Sequence, residues 1–417
     1  MKFRVLFLVI TLLLLAFLRS ASSQITKINL DFYINAGLSN SPLLKDYKDQ
    51  KKALSIDSLL IIAGQSPQVK GIGQFALSPT WKGYGYDEAL SNGGIYAAMI
   101  GISQSIFNDN ILKNQYNGIE IQQKSLENHN GLSKEELKKS IGDQYITYWE
   151  NYTTYKLTST EFTLVQEEVK LMKTLVETGV MTERDYIRLQ IEMKALEIDL
   201  KQQQNQFLQD QYMLNLICGI ADTTFFIPEK PEFKMVVSED FTKLLILNQF
   251  HIDSLQINNA ITTLQMKYKP GLSWFADAGL NTSPLSTVYQ LFGFSFGLNV
   301  VIPIYDGNQR AHELNKLNIN RETRSAYRNF FENQYSQRKE MIKADIRHKE
   351  SIILNQKQKI VMLENELNFE KQQLTFGTIS ITDYILTMRS LNESRKALNS
   401  MEAASLRLIN ALNSIIL

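Results

Sequence analysis

The side chains in this chain that could do chemistry are few, and most of them stand alone. Cys218 is the only cysteine and falls in the apolar run LNLICGI, where a thiol acts as a small buried hydrophobe rather than a nucleophile. His129, His251, His312 and His348 are scattered, and none has a second ligand at metal spacing. No triad, phosphate loop or metal cluster can be assembled, so no enzyme, no cofactor and no metal site is expected. What recurs instead is a pair of acids. Asp185 lies in VETGVMTERDYI (176–187) and Asp383 in LTFGTISITDYI (374–385), so that Gly179 and Gly377, Asp185 and Asp383, and Tyr186 and Tyr384 are each separated by 198 positions. An acid three residues after Thr182 or Ser380 can accept that residue's amide while the hydroxyl accepts the acid's own, which makes a capping box. Gly179 and Gly377 suit the left-handed turn that ends a helix. Each word therefore predicts a hairpin between antiparallel helices, and the two hairpins should lie side by side.

Long helices must position these hairpins. The chain reads as two structural repeats, 24–229 and 230–417, each running helix, strand pair, very long helix, hairpin and shorter helix. The first repeat predicts strands at about 67–78 and 94–106, a helix over about 110–178, a hairpin at 179–185 and a helix over 186–219. The second predicts strands at about 271–282 and 289–303, a helix over about 308–376, a hairpin at 377–383 and a helix over 384–416. Tyr145, Tyr148, Tyr152, Tyr155, Phe162, Val169 and Val176 make a heptad seam, matched by Ile346, Ile353, Ile360, Leu367 and Leu374. Flanked by Lys, Glu, Gln and Asn, these narrow stripes predict coiled coils that are wetted on their outer faces. The long runs contain no proline and could each extend on the order of 100 Å. NHNG at 128–131, followed by SKEE from Ser133, predicts a kink or a break.

Residues 1–23 read as a secretory signal: Lys2 and Arg4, the apolar Val5–Leu18, then Ala21-Ser22-Ser23. The apolar run is shorter than the ~20 residues of a spanning helix, and with no cysteine near the cleavage site no lipid anchor is expected. Removing Lys2, Arg4 and Arg19 from 44 Lys plus Arg leaves 41 against 43 Asp plus Glu, which gives no electrostatic reason to expect nucleic acid. No later stretch could span a bilayer as a helix, so any membrane passage must be made by strands.

The strand segments have that character. Phe292, Phe294, Phe296, Leu298 and Val300 alternate with Gly293, Ser295, Gly297 and Asn299, and Leu272, Trp274, Ala276, Ala278 and Leu280 alternate with Ser273, Phe275, Asp277 and Gly279. A soluble sheet would alternate too. The export signal and the aromatic residues near the strand ends, Trp81, Tyr84, Tyr86, Tyr96 and Tyr289, favour a membrane barrel. Four strands cannot close such a barrel, so several copies are required.

The chain resembles the TolC family of outer-membrane channels on three stretches: VIPIYDGNQR from Val301, TGVMTERDY and FGTISITDY. Phe107-Asn108-Asp109 is a worn copy of Tyr305-Asp306-Gly307, again 198 apart. The resemblance implies a mainly α protein with a small membrane β part, a homotrimer whose strands build a twelve-stranded β-barrel and whose helices build an α-barrel. It implies a passive exit duct of a tripartite efflux or type I secretion system, in the outer membrane and extending into the periplasm. Its partners would be outer-membrane lipid, a periplasmic adaptor and an inner-membrane transporter. By the same resemblance Asp383 is placed in a pore-facing carboxylate ring, a role compatible with capping, and Gly179, Thr182, Gly377 and Ser380 shape the hairpins that meet the adaptor. Where the family carries a tyrosine and an arginine that lock the tip, this chain has Leu374 and Ile379, and a second pore acid is replaced by Leu386; Arg184, Glu183 and Asp185 are the other tip candidates. The alternative reading is a periplasmic coiled-coil adaptor or structural protein.

Overall fold

The computed structural model describes residues 29–79, 81, 83–85, 93–106, 109–235, 244–283 and 290–416. The proposed signal, Tyr86, Tyr289, Phe107 and Asn108 lie outside the described residues. In chain order the elements are α1 (Leu30–Asn40), α2 (Pro42–Gln65), β1 (Gln68–Ser78), β2 (Gly93–Ile106), α3 (Asp109–Glu177), α4 (Glu183–Cys218), α5 (Leu245–Lys267), β3 (Gly271–Thr282), β4 (Phe292–Val301), α6 (Gln309–Thr375) and α7 (Ile381–Ile416). They form two compact units that do not coincide with the sequence repeats, because each draws on both.

One unit holds α1, Glu135–Val237 and Lys339–Ile416. Its helices pack through aromatic and aliphatic clusters; Tyr33, Ile141, Tyr145, Tyr148, Phe207, Leu214 and Cys218 form one, with Tyr152 and Tyr155 against it. Burial pushes the Cys218 thiol up to about 12, so it carries no thiolate at neutral pH. Polar bonds join α7 to α3: Asn399 Nδ2 donates to the Glu150 carbonyl (2.8 Å), Asn410 Nδ2 to the Lys139 carbonyl (3.0 Å), and Arg407 pairs with Glu150 (2.7 Å). At Gly142 an added Cβ would stand 2.7 Å from Asn410 Nδ2, so the missing side chain lets this contact form.

Residues 220–235 form a strap, neither helix nor strand, that no periodicity announces. Backbone outside helices and sheets needs other partners for its carbonyls, and here side chains from two helices supply them. Asn215 Nδ2 donates to Asp222 O (2.8 Å), Gln211 Nε2 to Thr224 O (2.6 Å), the Tyr148 hydroxyl to Phe226 O, and the Tyr145 hydroxyl to Glu229 O (3.0 Å). Lys230 then pairs with Glu402 at 2.6 Å and lies over the Trp149 ring.

The other unit holds Pro42–Lys134 and Ser238–Arg338. The expected break at 128–131 is absent, and α3 runs through it. The polar word packs the start of α5 instead: Asn128 Nδ2 donates to Leu245 O and Gln249 Oε1 (both 2.9 Å), and Gly131 leaves room for the Leu245 methyls.

The four strands form one antiparallel sheet in the order β1-β2-β3-β4. Phe296 opposes Ala276, Ala276 opposes Ile102 and Ile102 opposes Val69, so these side chains share a face. That face is apolar apart from Gln104 and Thr282 towards its ends, and its phenylalanines are uncovered: Phe294 is 81% exposed, Phe296 82% and Phe75 70%. The opposite face carries Gln68, Lys70, Gln74, Ser103, Ser105, Asp277, Ser295 and Asn299. Among the described residues, β1 and β4 each have one neighbour, which leaves both outer edges unpaired.

Candidate functional site

Both hairpins end their long helices in the same way. Gly179 (φ 78°) and Gly377 (φ 67°) are left-handed. Val180 N donates to Leu175 O (2.9 Å) with Gly179 N to Val176 O (3.0 Å), and Thr378 N donates to Gln373 O with Gly377 N to Leu374 O (both 3.1 Å). These are paired Schellman bonds that satisfy carbonyls orphaned at the helix end.

The restarts differ. At Thr182 the capping box is complete: Asp185 N donates to Thr182 Oγ1 and Thr182 N to Asp185 Oδ2, both at 3.3 Å. The helix accordingly begins at Glu183, three residues before the expected 186. At Ser380 the expected box does not close. Ser380 Oγ accepts from Thr382 N (3.1 Å), one residue earlier than the box requires, and α7 begins at Ile381 rather than 384. The Asp383 carboxylate is thereby left exposed, and among the described residues no side-chain hydrogen bond holds it. Two acids at matching positions thus have different employment: Asp185 holds a helix start and Asp383 faces solvent.

The structure brings the two hairpins together. An added Cβ at Gly377 would lie 3.1 Å from Val180 Cγ1, and Arg188 Nη1 donates to Thr382 Oγ1 at 2.6 Å. Glu183 and Arg184 are exposed. Leu374 and Ile379, at the positions aligned with the lock, turn inward: Leu374 is buried among Val165, Met172, Ile381 and Tyr384, and Ile379 packs against that cluster. Leu386 is 55% exposed. These hairpins carry a graded prediction. Gly179→Ala meets nothing within 4 Å and should cost only the left-handed strain of about 1–2 kcal/mol. Gly377→Ala carries the same strain plus the Val180 contact and should lower the melting temperature further; equal losses in thermal melts would contradict the packing of hairpin on hairpin.

A line of buried acids, not apparent from the sequence, lies behind the hairpins. From Thr158 to its end, α3 buries Thr158, Glu161, Val165, Glu168 and Met172, whereas Phe162 and Val169 are only half-buried. Glu192 (α4) and Glu370 (α6) are buried as well. Three of the four carboxylates have clear partners: Lys371 bonds Glu168 at 2.6 Å, Arg389 grips Glu192 through Nε (2.8 Å) and Nη2, and the Thr387 hydroxyl donates to Glu370 at 3.1 Å. Glu161 lines a cavity of about 200 Å³ with Glu168, Lys371, Tyr384, Asn392 and Arg395, and among the described residues its Oε2 takes no hydrogen bond. Burial pushes this carboxyl up to about 7; Lys396 and Arg395 pull it down, while Glu192 and Asp199 push it further up. The spacing 158, 161, 165, 168, 172 carries the signal, masked because two of the five positions hold glutamate, which is rarely buried unless paired.

Among the described residues no three His, Cys, Asp or Glu are grouped to hold a metal, and no helix is long and apolar enough to cross a membrane.

Long helical hairpins combined with a four-stranded antiparallel sheet, apolar on one face, define the TolC-like fold of outer-membrane channels. The chain has this fold. It is similar to CusC, whose structures concern folding and transmembrane channel formation (TM-score 0.74, 14% identity, 93% of this chain and 92% of that one). It is similar also to the Campylobacter jejuni outer membrane channel CmeC (0.73, 12%, 93% and 85%) and to the Vibrio cholerae outer membrane protein VceC (0.71, 13%, 93% and 95%). No family model and no curated protein matches the sequence.

Proposed function

We propose that the protein is an outer-membrane exit duct: a homotrimer whose strands form a twelve-stranded barrel in the lipid and whose helices extend into the periplasm. The observation that carries this reading is the sheet, which has an uncovered and largely apolar face, an opposite face that holds both charges and most of the polar side chains, and, among the described residues, two unpaired edges. Lipid and neighbouring copies satisfy these features together, because a strand edge in a bilayer must be paired and four strands are too few to close. A periplasmic adaptor would leave the phenylalanine face in water, which counts against that alternative. The fold shared with CmeC and VceC supports the same conclusion. The duct carries out no catalysis; an adaptor and an inner-membrane transporter, in a tripartite efflux or type I secretion system, would supply cargo and energy. The expected result is recovery in the outer-membrane fraction as an SDS-resistant, heat-modifiable trimer. A monomer soluble without detergent would overturn the proposal.

Gly179, Thr182, Gly377 and Ser380 shape the surface offered to the adaptor, with Glu183 and Arg184 exposed beside it and Asp185 fixing its helix start. Asp383 is the pore-facing acid, a role supported by its exposed, unbonded carboxylate. Three such groups around one axis should attract cations, so Asp383→Asn is expected to weaken multivalent-cation block of single-channel conductance several-fold. Unchanged block would remove Asp383 from the pore.

A further inference from the structure

Across the four strands only two side chains carry charge, Lys70 on β1 and Asp277 on β3. The register puts both on one row. Lys70 opposes Gly101, Gly101 opposes Asp277, and Asp277 opposes Ser295. Directly opposed residues of an antiparallel pair project to the same side, so both charges belong to the polar face, separated by a residue with no side chain. Ser295 Oγ donates to Asp277 Oδ2 at 2.8 Å and steadies the acid from the far side.

We propose that Lys70 and Asp277 are a compensating pair whose fields offset each other in the barrel lumen, so that the membrane part of the duct admits charged cargo of either sign. The proposal rests on the trimeric-barrel reading above. Strands two apart are separated by about 10 Å, and a tilt of about 40° converts this into a height difference of roughly 6 Å. Three copies therefore place a ring of three ammonium groups about 6 Å from a ring of three carboxylates. Twelve strands at that tilt give a backbone radius of about 12 Å. Once side chains project inward, the axis lies within the Debye length of about 8 Å at 0.15 M salt, but well beyond the ~3 Å at 1 M. At low salt each ring is thus felt across the whole lumen. With both rings present the fields cancel; remove one, and the other selects.

The test is the reversal potential of purified trimers in planar bilayers under a KCl gradient. Asp277→Asn should shift the permeability ratio toward chloride and Lys70→Gln toward potassium, each by about threefold or more near 0.1 M, with both shifts fading near 1 M. The exchange Lys70→Asp with Asp277→Lys should behave as wild type. Ser295→Lys adds a cation to the same row and should move with Asp277→Asn, which keeps the test open if one variant does not assemble. Single variants with wild-type permeability, or two that shift in the same direction, overturn the pair while leaving the duct intact. If wild-type protein forms no channel at all, the barrel reading itself fails.

Discussion

Replacing Glu161 with glutamine is expected to remove most of a loss of stability that the wild-type protein suffers between acid and neutral pH. The Glu161 carboxyl titrates near 7 in the folded chain against 4.5 for an unperturbed glutamate, because burial disfavours its charged form. A raised folded pKa means that the folded state holds the proton more tightly than the unfolded state does. The stabilisation is therefore complete below about 4.5, declines between 4.5 and 7, and is gone above 7. At 1.36 kcal/mol per pH unit, the penalty amounts to about 3 kcal/mol at pH 8. Glu370, also raised by burial, tilts the curve in the same direction. Thermal melts followed by circular dichroism in detergent at pH 5 and pH 8 should show a lower midpoint at pH 8 for wild type and a much flatter profile for Glu161→Gln. Identical pH profiles would remove Glu161 as the cause.

A single methyl at Gly279 should have an effect at least as large. Its Cβ would stand 2.3 Å from the Ala98 carbonyl oxygen and 2.5 Å from Met99 Cα. Both are backbone atoms of β2, which cannot rotate aside as a flexible side chain would. Gly279→Ala must therefore push β3 away from β2 in the middle of their ladder, where Gly279 opposes Met99. A cost of about 3 kcal/mol or more is expected, at the upper end of overpacking effects. The measurement is the fraction of SDS-resistant trimer on unheated gels, which should fall sharply. Gly71→Ala on β1, with nothing within 4 Å of an added Cβ, should assemble as wild type.

The strands and hairpins were legible because each has a short-range cause. Alternation of Phe292, Phe294 and Phe296 with small residues is set by the two-residue repeat of a strand, and the turns at Gly179 and Gly377 by the need for positive φ. What escaped depends on partners distant in sequence. Glu161 and Glu168 look like the wet flank of a helix until α6 and α7 cover them. NHNG looks like a break until Leu245, more than a hundred residues away, occupies the space above Gly131. Asp383 and Asp185 share a motif, yet a change of one residue in which amide the hydroxyl takes separates a cap from a free acid. The strap had no pattern of its own, since its carbonyls are answered by Tyr145, Tyr148, Gln211 and Asn215 rather than by another strand.

That strap also fixes a fulcrum. Tyr145 and Tyr148 on α3 and Gln211 and Asn215 on α4 all grip the same short segment, so the two helices cannot pull apart at this level without losing at least the two hydrogen bonds that one of them makes to it. Any spreading is left to the turns running from there to the hairpin at Gly179, a lever arm of about 45 Å at 1.5 Å per residue. Over that arm a swing of about 5° carries the tip through roughly 4 Å, about the diameter of a bare side-chain carboxylate, with the anchorage undisturbed.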